Sequence, residues 1–414
     1  MANSNADHPD RTAKPTPHAW VFRTRFRRNC FGWKSQPAIA RVKEAVAEIR
    51  KVAKRDRRLA ADGAVLFLEK VSPALEQVDS SSGSIGTAVN NAIAALVPII
   101  AGAEVDAGVR AAWLERLFEA LQADEIPYIE SLGDHWGDLC ASPAVASEWA
   151  DRLIDITRRV LSPDRQPGTY FKGTTACLSA LHRAGRHDEL IEIVRAEKMW
   201  TYRQWAVKAM LASGRSAEAL RYAEASRNPW SSDQAIDATC EEILLRSGMR
   251  NEAYTRYGMF ANGMTSHLAT FRAVTKKYPE RPPHDVLMDL VIASPGQEGK
   301  WFAAAKDAGF LTEAVALARQ SPCDPRTLTR ASRDYAAQQP AFALEVGLLA
   351  LHWLVQGAGY EITSTDVIDA FRATVHAAQV AGRVDEVVAL VQGVVDAGGP
   401  RAEFVATAVR SVRV

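Results

Sequence analysis

The chain has 414 residues, 47% hydrophobic and 24% charged, with a formal net charge of +1. That apolar content can offset chain entropy and excludes wholesale disorder. The near-neutral balance excludes a global field that would recruit nucleic acid or membrane, leaving local patches to do so.

Residues 1–34 lack helical periodicity and an apolar leader segment, so they read as a flexible tail without a Sec signal. Cations alternate with aromatics there: Arg23, Arg25, Arg27 and Arg28 stand among Trp20, Phe22, Phe26, Phe31 and Trp33. The basic run continues through Arg50, Lys51, Lys54 and Arg55, and between Arg11 and Ala60 fifteen Lys/Arg face three acids. This composition suits phosphate contacts with base stacking, an anionic membrane surface, or an acidic partner. It equally suits a solvated helix face beside an unstructured tail.

From residue 35 to 77 the chain reads as helices, with Ala38, Ile39, Val42, Ala45, Val46, Ile49 and Val52 on one stripe. The Ser- and Gly-rich stretch Asp79 to Thr87 is a loop opening an apolar helix over 87–101. Its N–H donors resemble an anion cradle, but it has neither the lysine of a P-loop nor a preceding strand. Further helices are predicted over 109–122, near 127–132 and over 143–161. In the last, Ser142 is placed to cap, Pro143 suits the first position, and Val145, Trp149, Leu153, Ile156 and Val160 form the buried stripe.

From about residue 170 a pattern recurs. A helix ends at a glycine, and a second helix carries glutamate four residues later: Gly185/Glu189, Gly214/Glu218, Gly248/Glu252, Gly309/Glu313 and Gly382/Glu386. Glycine supplies the left-handed conformation that closes a helix. Asp188, Asn251, Thr312 and Asp385 stand where an N-cap is expected, and the glutamate then meets the positive end of the helix dipole. Leu190, Ala219, Ala253, Ala314 and Val387 follow, and are expected at the contact between paired helices. The run Gly214-Arg-Ser-Ala-Glu-Ala-Leu-Arg-Tyr-Ala-Glu-Ala resembles the turn and second helix of a tetratricopeptide-type repeat, and Gly248-Met-Arg-Asn-Glu-Ala-Tyr is similar. The resemblance is clearest over residues 170–260, where one step has that family's period of 34 residues. It implies an α-solenoid of stacked antiparallel helix pairs, a fold that serves as a binding scaffold.

The most lipophilic run, Pro340 to Gly359, contains Glu345 and His352 and is expected to be a buried core helix rather than a membrane span. Five scattered cysteines, Cys30, Cys140, Cys177, Cys240 and Cys323, show no zinc spacing. A reducing, cytoplasmic setting fits them better than a disulfide framework.

The expectation is therefore an all-α chain in three parts: a tail (1–34), an N-terminal helical region (35–165) and a repeat region (166–414). Its function is expected to be non-enzymatic binding of a protein or peptide, with no cofactor. Arg203 and Lys208 should face outward into a groove, flanked by Trp200 and Trp230 as contact residues. Nucleic-acid association through the basic aromatic N-terminus is one alternative. A metal-dependent or acid/base enzyme centred on Asp134, His135 and Asp138 is the other, although no paired metal-ligand spacing accompanies those residues.

Overall fold

A computed structural model describes residues 18–412, which are helical with no β-strand among them. The chain divides into two compact units between Ser231 and Ser232. The change of character expected at residue 165 falls inside the first unit.

The first unit contains α1 (Val21–Arg25), α2 (Ser35–Ala53), α3 (Arg57–Leu75), α4 (Ser84–Ala101) and α5 (Ala107–Gln122). A 3-10 turn, Glu130–His135, runs into α6 (Trp136–Leu139), followed by α7 (Pro143–Leu161), α8 (Thr174–Arg183), α9 (His187–Val194), α10 (Trp200–Ala212) and α11 (Ser216–Glu224). The second unit begins with α12 (Asp233–Arg246) and α13 (Arg250–Ala253), which passes through a π-helical turn into α14 (Met259–Ala261). It continues with α15 (His267–Lys277), α16 (Pro283–Ile292), α17 (Phe302–Asp307), α18 (Leu311–Gln320), α19 (Pro325–Tyr335), α20 (Pro340–Val355), α21 (Ser364–Val380), α22 (Val384–Asp396) and α23 (Ala402–Arg410).

Residues 18–34, expected to belong to a flexible tail, are packed onto the first unit; residues 1–17 lie outside the described chain. Trp20, Phe22 and Phe26 are buried, and Phe22 and Phe26 each meet the ring of Phe67 on α3 edge-on. Trp20 lies against Gly63, where a Cβ would come within 2.2 Å of its ring. Polar contacts fix the segment as well. The Glu48 carboxylate on α2 accepts from the backbone N–H of Val21 and Phe22 (2.8 and 3.2 Å), capping α1 from a neighbouring helix. Asn29 N–H donates to the Pro73 carbonyl, and Asp79 N–H to that of Trp33. Trp20, Phe22 and Phe26 thus serve burial, such rings each removing roughly 150–250 Å² from water.

The predicted stripe of α2 is buried from Ala38 through Ile49. In α7 the Ser142 hydroxyl accepts from Val145 N–H (3.3 Å), as its position predicts. Its buried face is rotated, however: Ile156 is exposed, while Ala146, Ala150, Ile154 and Thr157 are inside. A wide buried face takes up neighbouring positions that a single-file stripe omits. In α4, Ile85, Val89, Ile93, Leu96, Val97 and Ile100 enter the core. This helix has no charged residue and is long and apolar enough to cross a membrane by length and composition, but it packs on α2 and α3. Arg110 bonds the carbonyls of Ile100 and Ala103 (2.7 Å each) near its C-terminus, where a cation complements the helix dipole.

All five recurrent turns adopt one geometry. Gly185, Gly214, Gly248, Gly309 and Gly382 have φ of +75°, +76°, +75°, +83° and +69°. In each, the N–H after the glycine donates to a carbonyl five residues back, for example Arg215 to Met210 at 2.8 Å. This is the Schellman closure. It corrects the capping expectation: the residue next to the glycine, not Asp188, Asn251, Thr312 or Asp385, precedes the new helix, so those four lie in its first turn. The closing hydrogen bond leaves no linker, so the second helix begins at once. Leu190, Ala219, Ala253, Ala314 and Val387 are all buried. In the second unit α20, the lipophilic run, packs against α19 and α21 and is buried along most of its length.

Candidate functional site

Two concavities in the first unit collect residues that sequence reasoning singled out. The first is a groove of ≈ 630 Å³ between α2 and α4. Its floor is small and aliphatic: Val42, Val46 and Ala47 from α2, and Ala88, Ala92 and Ala95 from α4. Its rim carries Lys43, Arg50, Lys51 and Lys54, all exposed, and Asn91 is the remaining polar lining residue. No carboxylate among the described residues lines it. The helical repeat explains the arrangement: α2 buries one stripe, so its cations at 43, 50, 51 and 54 project beside the uncharged helix α4.

The predicted basic patch is thus partly assembled here. Arg50, Lys51 and Lys54 line the groove and Arg55 lies one residue on, all without an ion pair among the described residues. Arg23 and Arg27 are likewise exposed and have no ion pair among the described residues. Arg25 instead pairs with Glu44 (2.8 Å) and Arg28 with Glu76 (3.2 Å), so those two brace α1 and the following loop. Of the interleaved aromatics, Trp33 alone is largely exposed.

The second concavity is a cleft of ≈ 570 Å³ lined from the 3-10 turn, α6, α8, the Gly185 turn and α10. Asp134, His135 and Asp138 lie on one side, while His182, Arg183, His187 and Lys208 come from the other elements. His135 Nδ1 is 4.0 Å from the Asp138 carboxylate. The His182 ring lies 5.4 Å from that of His187 and 6.0 Å from that of Trp205. Lys208 Nζ sits 3.8 Å over the Trp205 ring, a cation–π contact. Although Lys208 reaches solvent, the cleft walls strip part of its hydration and lower its pKa. Desolvation likewise raises the Asp134 carboxyl and lowers the His182 imidazole. Shifts of this kind cluster in functional clefts. The Ser179 hydroxyl has no base to activate it: it accepts from Gly137 N–H and donates to the Asp134 carbonyl (3.0 Å each). Among the described residues no group of three His, Cys, Asp or Glu is close enough to hold a metal ion.

The four predicted partner-contact residues do not form one surface. Lys208 alone of them lines this cleft. Arg203, expected to point outward, is half-buried: it donates to Ser226 Oγ (2.7 Å) and the Glu197 carbonyl (2.9 Å) and stacks on Tyr222 at 4.2 Å. It fastens α10 to α11 instead of lining a groove. Trp200 is buried and Trp230 is exposed on the turn after α11. His182 and His187 were missed in the cleft, though two histidines flanking a hairpin glycine were a usable signal. Burial pushes the thiols of Cys140, Cys177 and Cys323 up to about 12, 11 and 12, which leaves them protonated and unreactive. In the loop before α4 the Asp79 carboxylate accepts from Ser81 N–H (3.0 Å), an ordinary turn.

No protein-family model matches this chain, and neither a curated protein nor a solved structure matches it.

Proposed function

We propose that this chain is a non-enzymatic scaffold whose helix pairs stack in the tetratricopeptide manner, and that its α2/α4 groove binds an acidic amphipathic helix of a protein partner. The observation that carries this reading is the groove's lining among the described residues: four cations and no carboxylate above a floor of alanine and valine. Small floor residues let a helix approach to the 8–10 Å interaxial distance of ordinary helix packing. The cations then meet glutamates or aspartates flanking its apolar stripe, which favours capture and orientation.

The same features weigh against other occupants. A membrane surface calls for protruding apolar anchors, and none of the large exposed hydrophobic side chains lies on α2 or α4. Single-stranded nucleic acid calls for free aromatic platforms, but Trp20, Phe22 and Phe26 are consumed by the core, and the exposed Trp33 does not line the groove.

Fluorescence polarization on the full chain tests this. The probe is a labelled helical peptide with leucines on one face flanked by glutamates. It should bind saturably at low salt, and Lys51→Glu/Lys54→Glu should weaken it about tenfold or more, with an unchanged circular-dichroism spectrum. A glutamine-for-glutamate peptide should bind weakly. Equal binding by the double variant overturns the proposal, as does lysine-dependent binding of duplex DNA or phosphatidylserine vesicles in place of the peptide.

A further inference from the structure

The cleft at α6, α8 and α10 differs chemically from the basic groove, because its walls carry both signs of charge. Asp134 and Asp138 stand on one side, and Lys208 and His182 come from α10 and α8. Opposite charges lining one cleft would ordinarily pair. Yet Lys208 makes no ion pair with either carboxylate; its ammonium rests on the Trp205 ring. Asp134 and Lys208 feel each other's field across the open space, without contact, and the nearest cationic partner of Asp138 is the His135 imidazole at 4.0 Å. The cleft therefore keeps charges of both signs partly desolvated and incompletely partnered, an arrangement a ligand can complete.

The acidic wall is also held in place. Gly137 packs so closely on α8 that a Cβ there would lie 2.5 Å from the Ser179 carbonyl oxygen. Ser179 bonds to both Gly137 and Asp134 main chain. Asp134 is thus presented from a backbone fixed against the helix that carries His182, so little ordering remains to oppose binding.

We propose that this cleft binds a small zwitterion of the free amino-acid class, its ammonium held by Asp134 and Asp138 and its carboxylate by Lys208 and His182. A simple anion would face two carboxylates, and a simple amine would face a lysine and imidazoles. Only a ligand bearing both charges satisfies both walls. A volume of ≈ 570 Å³ lies within the range of small-molecule sites. The site is independent of the α2/α4 groove.

Thermal melting of the full chain with each common amino acid in turn, at millimolar concentration, identifies the ligand, since binding to the folded state raises Tm. Calorimetry on the amino acid that raises Tm should then give one site per chain. Its N-acetyl derivative, which lacks the ammonium, and its carboxamide, which lacks the carboxylate, should each bind about tenfold or more weakly. Asp134→Asn and Lys208→Gln should cause similar losses. If either variant melts abnormally, Asp138→Asn replaces it and should also weaken binding. The proposal fails if no amino acid shifts Tm, if the N-acetyl derivative binds as tightly as its parent, or if a folded Asp134→Asn protein binds as the wild type does.

Discussion

The α2/α4 groove of the first unit and the α19/α21 groove of the second have similar volumes, ≈ 630 and ≈ 690 Å³, and both are rimmed by cations. In the second, Arg326, Arg330, Arg333 and Arg372 share the lining with Asp324, Asp366 and Asp369. Arg326 grips Asp366 through two hydrogen bonds (2.6 and 3.0 Å), and Arg333 pairs with Asp334 (3.0 Å). Asp366 also accepts from the backbone N–H and hydroxyl of Thr363 (2.8 Å each), closing the capping box of α21. The first groove has no counterpart to these bonds. Arg326 and Arg333 are thus paired in the second groove, whereas the cations of the first groove have no ion pair among the described residues. What separates the cases is the carboxylate within reach, which is set by packing and not by local composition.

The sharpest way to break that contrast is to exchange the consequences. Lys51→Glu/Lys54→Glu should leave the melting curve within error of wild type while peptide capture falls. Asp366→Asn should do the reverse, lowering stability by about 1–2 kcal/mol in chemical denaturation with peptide capture intact. That figure is discounted because the pair is partly solvated. If Asp366→Asn is neutral, the second groove's charges are as idle as those of the first and the distinction collapses.

Acid titration sharpens the same comparison. Arg326, foremost, and the Thr363 bonds hold the Asp366 carboxyl well below the usual aspartate range. A carboxylate with a depressed folded pKa contributes its full stability above its unfolded value, near ~4, and loses it as pH falls through the folded value. The stability gap between wild type and Asp366→Asn should therefore be constant near neutrality and begin to close below roughly pH 4. A gap that closes at pH 6 would mean another group is responsible.

The hairpin turns were legible because their cause is local: a glycine, a Schellman hydrogen bond and an acid in the next turn lie within a few residues. Arg186, Arg215 and Arg383, each following its glycine, add a link that went unread, pairing with Glu189, Glu218 and Glu386 (2.7, 3.9 and 2.6 Å). The aromatic segment before α2 was misread because Trp20 finds its seat at Gly63, far along the chain. Alternating aromatics and cations look alike whether solvated or packed. Arg203 was misplaced for the same reason: its partners Tyr222 and Ser226 lie on the next helix and just past its end. Asp134, His135 and Asp138 could be flagged as a cluster, whereas Lys208 and His182 join them only when α8 and α10 are brought alongside.

The smallest effect separates two glycines that a composition count treats alike. Neither Gly214 nor Gly86 has an atom within 4 Å of where a Cβ would be, so neither is small because space demands it. Gly214 has φ of +76°, whereas Gly86 lies in the first turn of α4 with ordinary helical geometry. Gly214→Ala should therefore cost about 1 kcal/mol, the penalty of a left-handed backbone carrying a side chain. Gly86→Ala should gain roughly 0.5 kcal/mol, because alanine loses less entropy on entering a helix. Opposite signs in denaturation would assign the hairpin glycines to backbone conformation. Equal losses would mean that open space around a helix end also matters, and the shared turn geometry would need another cause.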